Sequence, residues 1–239
     1  MWVILADRTD PTAWWAKQGL AAHGLESVEL LTVEELAGAT RWVHTVASDG
    51  AWFEARLPDG RVLHSEDLAG ALNRIRHLPA TVVAPIEPSD RDYVTQELHA
   101  FFLSWITAIH GPVLNRATPQ GLGGSWRHPS EWARLAGLCG LPHRTYHSGD
   151  HLDGLPHPLA GSGPLAIVIG DRVVGDQLAA DLEAGCVALA RRARTPLLGI
   201  RFAWAPEGLE FVGADPVPPL EHGGDDALEA LVLALRGQQ

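Results

Sequence analysis

The opening of the chain limits what it can fold into. Met1 to Ala6 is a short apolar run stopped by Asp7-Arg8-Thr9-Asp10-Pro11. An apolar run of that length, closed by a polar turn, reads as a buried strand. Thr9 or Asp10 then caps a helix with Pro11 in its first turn, where the missing proline N–H is no loss. That helix ends near Gly24, and Ser27 to Leu31 follows as a second strand. Strand, helix and strand in close succession are the building unit of a parallel α/β sheet, and such sheets bind ligands at the carboxyl ends of their strands. Asp7 and Arg8 fall at such an end; helix capping accounts for Thr9 and Asp10 but not for them.

Beyond this unit the pattern changes twice. Thr40 to Ser48 and Ala51 to Leu57 read as two strands joined by Ser-Asp-Gly, a hairpin signal, and Arg61 to His64 begins a further strand after the turn Pro58-Asp59-Gly60. The clearest helix runs from Ser89 to His110. Ser89 is its expected N-cap with Asp92 three residues on, and Val94, Leu98, Phe101, Phe102, Trp105 and Ile109 recur at helical spacing. Pro112 to Leu114 is a short strand, and Pro129 to Gly140 a capped helix. His143 to Gly163 has little periodicity. After it come a hairpin around Gly170-Asp171, a helix from Gln177 to Arg194, a hairpin around Pro206-Glu207-Gly208 and a helix from Asp225 to Leu235. The expected organisation is therefore an α/β lobe over 1–142, a connecting loop over 143–163 and a small α+β lobe over 164–239.

Composition narrows the function classes. The net charge of −11 works against nonspecific binding to nucleic acid or to an anionic membrane, since both attract cations. No run approaches the roughly 20 apolar residues of a membrane span, and no secretory signal is read at the start, so the expectation is a soluble cytoplasmic protein. Cys139 and Cys186 have neither CxxC spacing nor neighbouring ligands, and both read as buried thiols. Lys17 is the only lysine, and it sits in the first helix. Chemistry that needs a lysine therefore has one candidate.

Several stretches together resemble the ATP-grasp carboxylate–amine ligases, nearest those associated with ribosomally made, modified peptides. The opening Val-Ile-Leu-Ala-Asp-Arg-Thr-Asp-Pro-Thr-Ala (3–13), Ser-Asp-Arg-Asp-Tyr-Val-Thr-Gln-Glu-Leu-His-Ala (89–100), Pro-Val-Leu-Asn-Arg (112–116) and Leu-Ala-Gly-Leu-Cys-Gly-Leu-Pro (135–142) are similar to the domain that precedes the ATP-grasp in that family. Ile-Val-Ile-Gly-Asp-Arg-Val-Val-Gly (167–175), Gly199 to Trp204 and Phe211 to Pro216 are similar to its terminal strands. Each motif is weak alone; their order across most of the chain carries the resemblance. It implies a parallel or mixed sheet in the first lobe and a reduced ATP-grasp α+β part in the second.

The departures from the family are as informative. Its chemistry passes through an acyl-phosphate, which needs lysines on the triphosphate and Mg²⁺ held by acidic ligands. The family carries a carboxylate on its penultimate strand and a Glu-x-Asn pair on its last; the matching positions here hold Arg201, Gly213 and Asp215. The lysine-bearing strands that clamp the nucleotide have no counterpart. The resemblance therefore implies a noncatalytic relative with no cofactor, a recognition or partner subunit for a peptide or protein. Asp7, Arg8, Asn115, Arg116, Arg127, Arg201 and Asp215 are its candidate ligand-binding residues. The alternative is a minimal ligase that uses ATP and Mg²⁺ with arginines at the phosphates, among them Arg116, Arg127, Arg144, Arg172 and Arg201.

A second alternative is a metal site. His143, His147 and His151 recur every four residues, beside Asp150, Asp153 and His157. On a helix they would share one face, but Gly149, Gly154 and Pro156 oppose a helix. Gln120 to Ser125 is glycine-rich without the lysine of a P-loop, and reads as a loop rather than a phosphate cradle. Adjacent Trp14 and Trp15 point in different directions on a helix, so at least one is exposed or at an interface, which favours a protein or peptide partner or a homodimer.

Overall fold

The computed structural model describes residues 1–146 and 163–237. In chain order the elements are β1 (Trp2–Ala6), α1 (Pro11–Ala22), β2 (Val28–Thr32), α2 (Val33–Ala37), β3 (Arg41–Ala47), β4 (Gly50–Arg56), β5 (Val62–His64), β6 (Gly70–Asn73), α3 (Ala80–Val83), α4 (Arg91–Thr107), β7 (Val113–Leu114), α5 (Pro129–Leu138), β8 (Leu165–Ile169), β9 (Arg172–Gly175), α6 (Ala180–Ala193), β10 (Leu197–Ala205), β11 (Gly208–Asp215) and α7 (Gly224–Leu235). The described chain divides into two compact units: Met1–Ser125, joined by residues 231–237, and Trp126–Ala230.

The first unit is built on a parallel sheet in the order β2-β1-β6-β7. Trp2 to Ala6 run in register with Val28 to Thr32 on one side, and Trp2 to Leu5 with Gly70 to Asn73 on the other. Local chemistry starts each helix. Asp10 accepts from the N–H groups of Thr12 and Ala13 and so caps α1, while Thr32 and Glu35 form a reciprocal capping box at α2. A separate antiparallel sheet, β3-β4-β5, contributes Phe53, Ala55 and Leu63 to one core with Phe102, Trp105 and Ile106 of α4 and Val3, Leu5 and Ala71 of the parallel sheet. Trp42 stands edge-on to Phe101, Phe102 and Trp105, with ring centroids 4.5, 5.3 and 5.6 Å away. Such T-shaped contacts put positive ring edges on negative ring faces.

Two local expectations change here. The strand β6 lies at the centre of the parallel sheet, although sequence reading assigns nothing between His64 and Ser89. Ser89 does not cap α4: it lies in a 3-10 turn, Pro88–Asp90, and its hydroxyl donates to Asp90 at 3.1 Å. The adjacent carboxylate captures the hydroxyl that would have capped the helix. The Arg91 guanidinium instead holds the carbonyls of Ile86 and Ala84 at 2.9 and 3.0 Å.

The second unit holds an antiparallel sheet, β11-β10-β8-β9, with α5 and α6 packed on one face. Ala166, Val168, Leu198, Ile200, Phe202 and Phe211 meet Trp132, Leu135 and Ala136 of α5 and Cys186, Leu189 and Ala190 of α6. Packing thus places α5 in the second unit, whereas the sequence boundary after residue 142 puts it in the first. The chain through residue 143 follows it: Phe211 N–H donates to the Pro142 carbonyl at 2.7 Å, and His143 bridges Phe211. A parallel sheet in one unit and an antiparallel sheet in the other agree with the mixed α/β expectation. Both cysteines are free thiols. No helix among the described residues is long and apolar enough to cross a membrane.

Candidate functional site

In the first unit the carboxyl ends of β1, β6 and β7 bring Asp7, Arg8, Asp10, Asn73, Arg74, Asn115 and Arg116 to one sheet edge. Most of the polar atoms there are already engaged. The amide of Asn73, fully buried, donates to the carbonyls of Asn115 at 2.8 Å and Leu122 at 2.6 Å, and its oxygen accepts from Ile75 N–H at 3.2 Å. Arg74 is buried and forks onto Asp10, at 2.7 and 3.3 Å. Asp10 thus caps α1 and neutralises an interior guanidinium at the same time.

The sequence candidates at this edge divide. Asn115 is buried at the end of β7, where its carbonyl serves Asn73. Arg116 folds back onto the chain after α4 and donates to the carbonyls of Ile109 and Gly111, at 3.2 and 2.9 Å, a C-terminal capping role. Asp7 accepts from the hydroxyl and N–H of Thr9, which hold its carboxyl below the usual carboxylate range, with smaller pulls from His77 and Arg8. The Arg8 side chain is exposed; its backbone is fixed by Glu34 and by the indole of Trp14. The glycine-rich loop is closed on itself: Thr118 and Gly121 exchange backbone hydrogen bonds at 3.0 Å, and Gly124 N–H donates to Gly121. Its N–H groups at 121 and 124 therefore serve the loop, as the loop reading expects.

In the second unit, β10 and β11 carry the positions that the family resemblance marks. Arg201 lies directly across from Gly213, and Gly199 from Asp215, before a bulge that leaves Val212 unpaired. Residues two apart on a strand share a face, so Arg201, Gly213 and Asp215 lie on one side. Ile200 and Phe202 face the helices; the three therefore lie on the other side. Arg201 is exposed, and open space stands where a side chain on Gly213 would go. The Asp215 carboxylate accepts from Val217 N–H at 2.9 Å, which turns the chain out of β11. Further along the same hairpin, Arg144 pairs with Glu210.

Other candidates have structural duties. Arg127 joins Glu131 one turn along α5, donates to the Ala193 carbonyl at the end of α6 and lies 5.7 Å over the Trp132 ring. It ties two helices together. His143 packs against Gly137 and its Nδ1 bonds the Leu141 carbonyl at 3.3 Å; His147 and His151 lie outside the described residues. Among the described residues no group of three or more His, Cys, Asp or Glu is placed to hold a metal ion. Asn73 and Arg74 are the polar residues that sequence reading passed over. Their signal was an Asn-Arg pair closing the short run Gly70-Ala71-Leu72.

A Mg²⁺ ion of the kind the ATP-grasp fold implies does not fit the β10–β11 face. A hard cation takes several oxygen ligands. Of the three marked positions only Asp215 offers a carboxylate, and a guanidinium stands one residue pair along the same face.

No protein-family model matches the sequence, and no curated protein matches it. Solved structures do. The RiPP-associated ATP-grasp ligase of Chryseobacterium gregarium, solved with ADP and a leader and core peptide, superposes with a TM-score of 0.73 at 10% identity, covering 100% of this chain and 97% of that one. The macrocyclase MdnC of Microcystis aeruginosa, bound to its precursor peptide MdnA, gives 0.73 at 11% identity over 99% and 100%. The ATP-grasp ligase PsnB, with a precursor variant, Mg and ADP, gives 0.68 at 15% identity over 99% and 98%. Likeness over the full length at such low identity speaks for shared architecture: the chain has the fold of the RiPP-associated ATP-grasp ligases.

Proposed function

We propose that this chain is a degenerate ATP-grasp protein, a noncatalytic recognition or partner subunit for a peptide in a peptide-modification pathway. The observation that carries the reading is the Arg201–Gly213–Asp215 face of β10 and β11. Moving a phosphoryl group from ATP to a carboxylate requires cations around the transferring group, most of all a metal held by acidic oxygens. At the positions that the resemblance marks for those oxygens, the chain has a guanidinium, a bare backbone and one carboxylate. A divalent cation there would meet the repulsion of Arg201 before it gained a second carboxylate.

Of the five arginines named as substitutes for the missing lysines, three are committed elsewhere. Arg116 caps backbone carbonyls, Arg127 clasps two helices and Arg144 pairs with Glu210. Lys17 lies on α1, 4.0 Å from Glu29. A peptide as the ligand draws support from the neighbouring structures, which hold leader, core or precursor peptides. Fold alone does not fix function, so the test is direct. Calorimetric titration with ATP and Mg²⁺, beside a turnover assay of the purified chain, is expected to give neither micromolar binding nor ADP release. ATP turnover that disappears in Asp215→Ala would overturn the reading in favour of a minimal ligase.

A further inference from the structure

We propose that Arg201 and the open floor at Gly213 form a metal-independent subsite for a carboxylate of an acidic peptide. The inference deepens the noncatalytic reading and rests on it. Four observations carry it. Arg201 is exposed at the middle of β10, on the face away from α5 and α6, and it has no ion-pair or hydrogen-bond partner among the described residues. The residue directly across the ladder is Gly213, beside which a Cβ would meet nothing within 4 Å. A ligand can therefore approach the guanidinium over bare backbone. The other marked charge on this face, Asp215, also accepts a hydrogen bond from its own turn, and Arg144 is already joined to Glu210. One uncommitted guanidinium is thus left on this hairpin, in a chain whose net charge is −11.

The ligand class follows from charge and shape. A guanidinium fork matches the two oxygens of one carboxylate in a bidentate pair. A polyphosphate carries three or four charges and needs several cations, and Asp215 and Glu210 would repel it. Among the described residues this hairpin offers one uncommitted cation, so a single carboxylate fits it and a triphosphate does not. Where a relative would need a metal ion to hold an anion against its own acidic side chains, a fixed cation of this chain would do it directly.

The test uses the full chain in EDTA. The probe is the peptide Ac-Gly-Asp-Gly-Asp-Gly-NH₂, with its Asn counterpart and inorganic pyrophosphate as comparisons. Binding is followed by the Nε–H NMR resonance of Arg201, assigned through Arg201→Lys. The expected result is a saturable shift with the Asp peptide and none with the Asn peptide, unchanged when Mg²⁺ replaces EDTA. Arg201→Gln should weaken binding about tenfold or more, the scale of a lost charge-assisted hydrogen bond. Gly213→Val should weaken it similarly by filling the floor. Gly213 has no positive φ and open space around it, so that variant keeps its fold, as an unchanged melting curve will confirm. Arg192→Gln, on the helix layer behind the sheet, should change nothing. Binding indifferent to both Arg201→Gln and Gly213→Val would overturn the subsite, and so would tighter binding of pyrophosphate than of the peptide, or a requirement for Mg²⁺. ATP turnover with an intact peptide response would sink the noncatalytic reading while leaving the subsite standing.

Discussion

The carboxyl edge of the parallel sheet and the outer face of the β10–β11 hairpin are both lined with polar residues, yet they use them in opposite ways. At the edge, buried Asn73 spends its amide on two carbonyls and an N–H, and buried Arg74 its guanidinium on Asp10. On the hairpin, Arg201 has no partner among the described residues and Gly213 leaves room beside it. A buried polar group must be satisfied where it lies, because leaving it bare costs about 1–3 kcal/mol. An exposed one is satisfied by water and is available to exchange that water for a ligand. The contrast teaches that a polar residue at the ligand edge of a fold is a poor sign of function until its hydrogen bonds are traced.

Substitutions can break this contrast. The largest effect is expected for Asp10→Ala, which removes the cap of α1 and leaves Arg74, whose side chain is 4% exposed, without that carboxylate. Breaking a buried pair from one side costs about 3–5 kcal/mol, measured by urea denaturation; a loss under about 1 kcal/mol would mean that the edge is more open than its geometry indicates. Asn73→Ala should cost about 2–3 kcal/mol, since the carbonyls of Asn115 and Leu122 lose a shared donor.

Arg116→Ala and Arg201→Gln form the sharpest pair. The first should lower stability by about 1 kcal/mol, a net hydrogen-bond contribution, and leave peptide binding intact. The second should stay within about 0.5 kcal/mol of the parent, as exposed substitutions do, and lose the peptide. The reverse outcome would exchange their roles.

The smallest effect is a pH dependence inside the first unit. His44 on β3 bonds Ser104 at 3.1 Å, while its Nε2 is buried with no hydrogen-bond partner among the described residues. Burial lowers its pKa below the ordinary value of 6.5. The unfolded chain therefore takes up the proton first, and stability is lost as the pH falls below about 6.5 toward the folded value. Denaturation midpoints from pH 7.5 to 5 should fall less in His44→Gln; parallel curves would show that His44 is free to charge in the fold.

Much of this molecule was legible in order but not in place. Strong local signals held. The apolar run before Asp7 is β1, Ser-Asp-Gly joins β3 to β4, Phe102 and Trp105 of the predicted apolar stripe lie on the buried face of α4, and of the adjacent tryptophans Trp14 is exposed. The pairing of Arg201 with Gly213 is not among them: regular spacing from the Gly208 turn would set Arg201 opposite Val212, and a bulge shifts it by one residue. What failed lacked local signal. The strand β6 has four residues, too few to show a period, and it forms because β1 and β7 offer ladders on both sides. The α5 helix reads as the end of the first lobe, yet its apolar face matches β11 and α6.

The sequence by itself determined the succession of strands and helices, because periodicity, caps and turns act over a few residues. It also determined which chemistry is scarce, since one lysine and an arginine in place of a carboxylate are facts of composition and order. Only the tertiary structure decided which polar residues are committed. Arg116, just past β7, and Arg201, in the middle of β10, are the same residue type, and residue type alone does not tell their duties apart. Arg116 turns back to carbonyls of the preceding loop, Arg201 meets a glycine across a strand, and Asn73 meets carbonyls of Asn115 and Leu122 that only the fold brings to it. Hydrogen bonds between distant segments follow from where the core places the backbone, and that placement is a property of the whole packed unit.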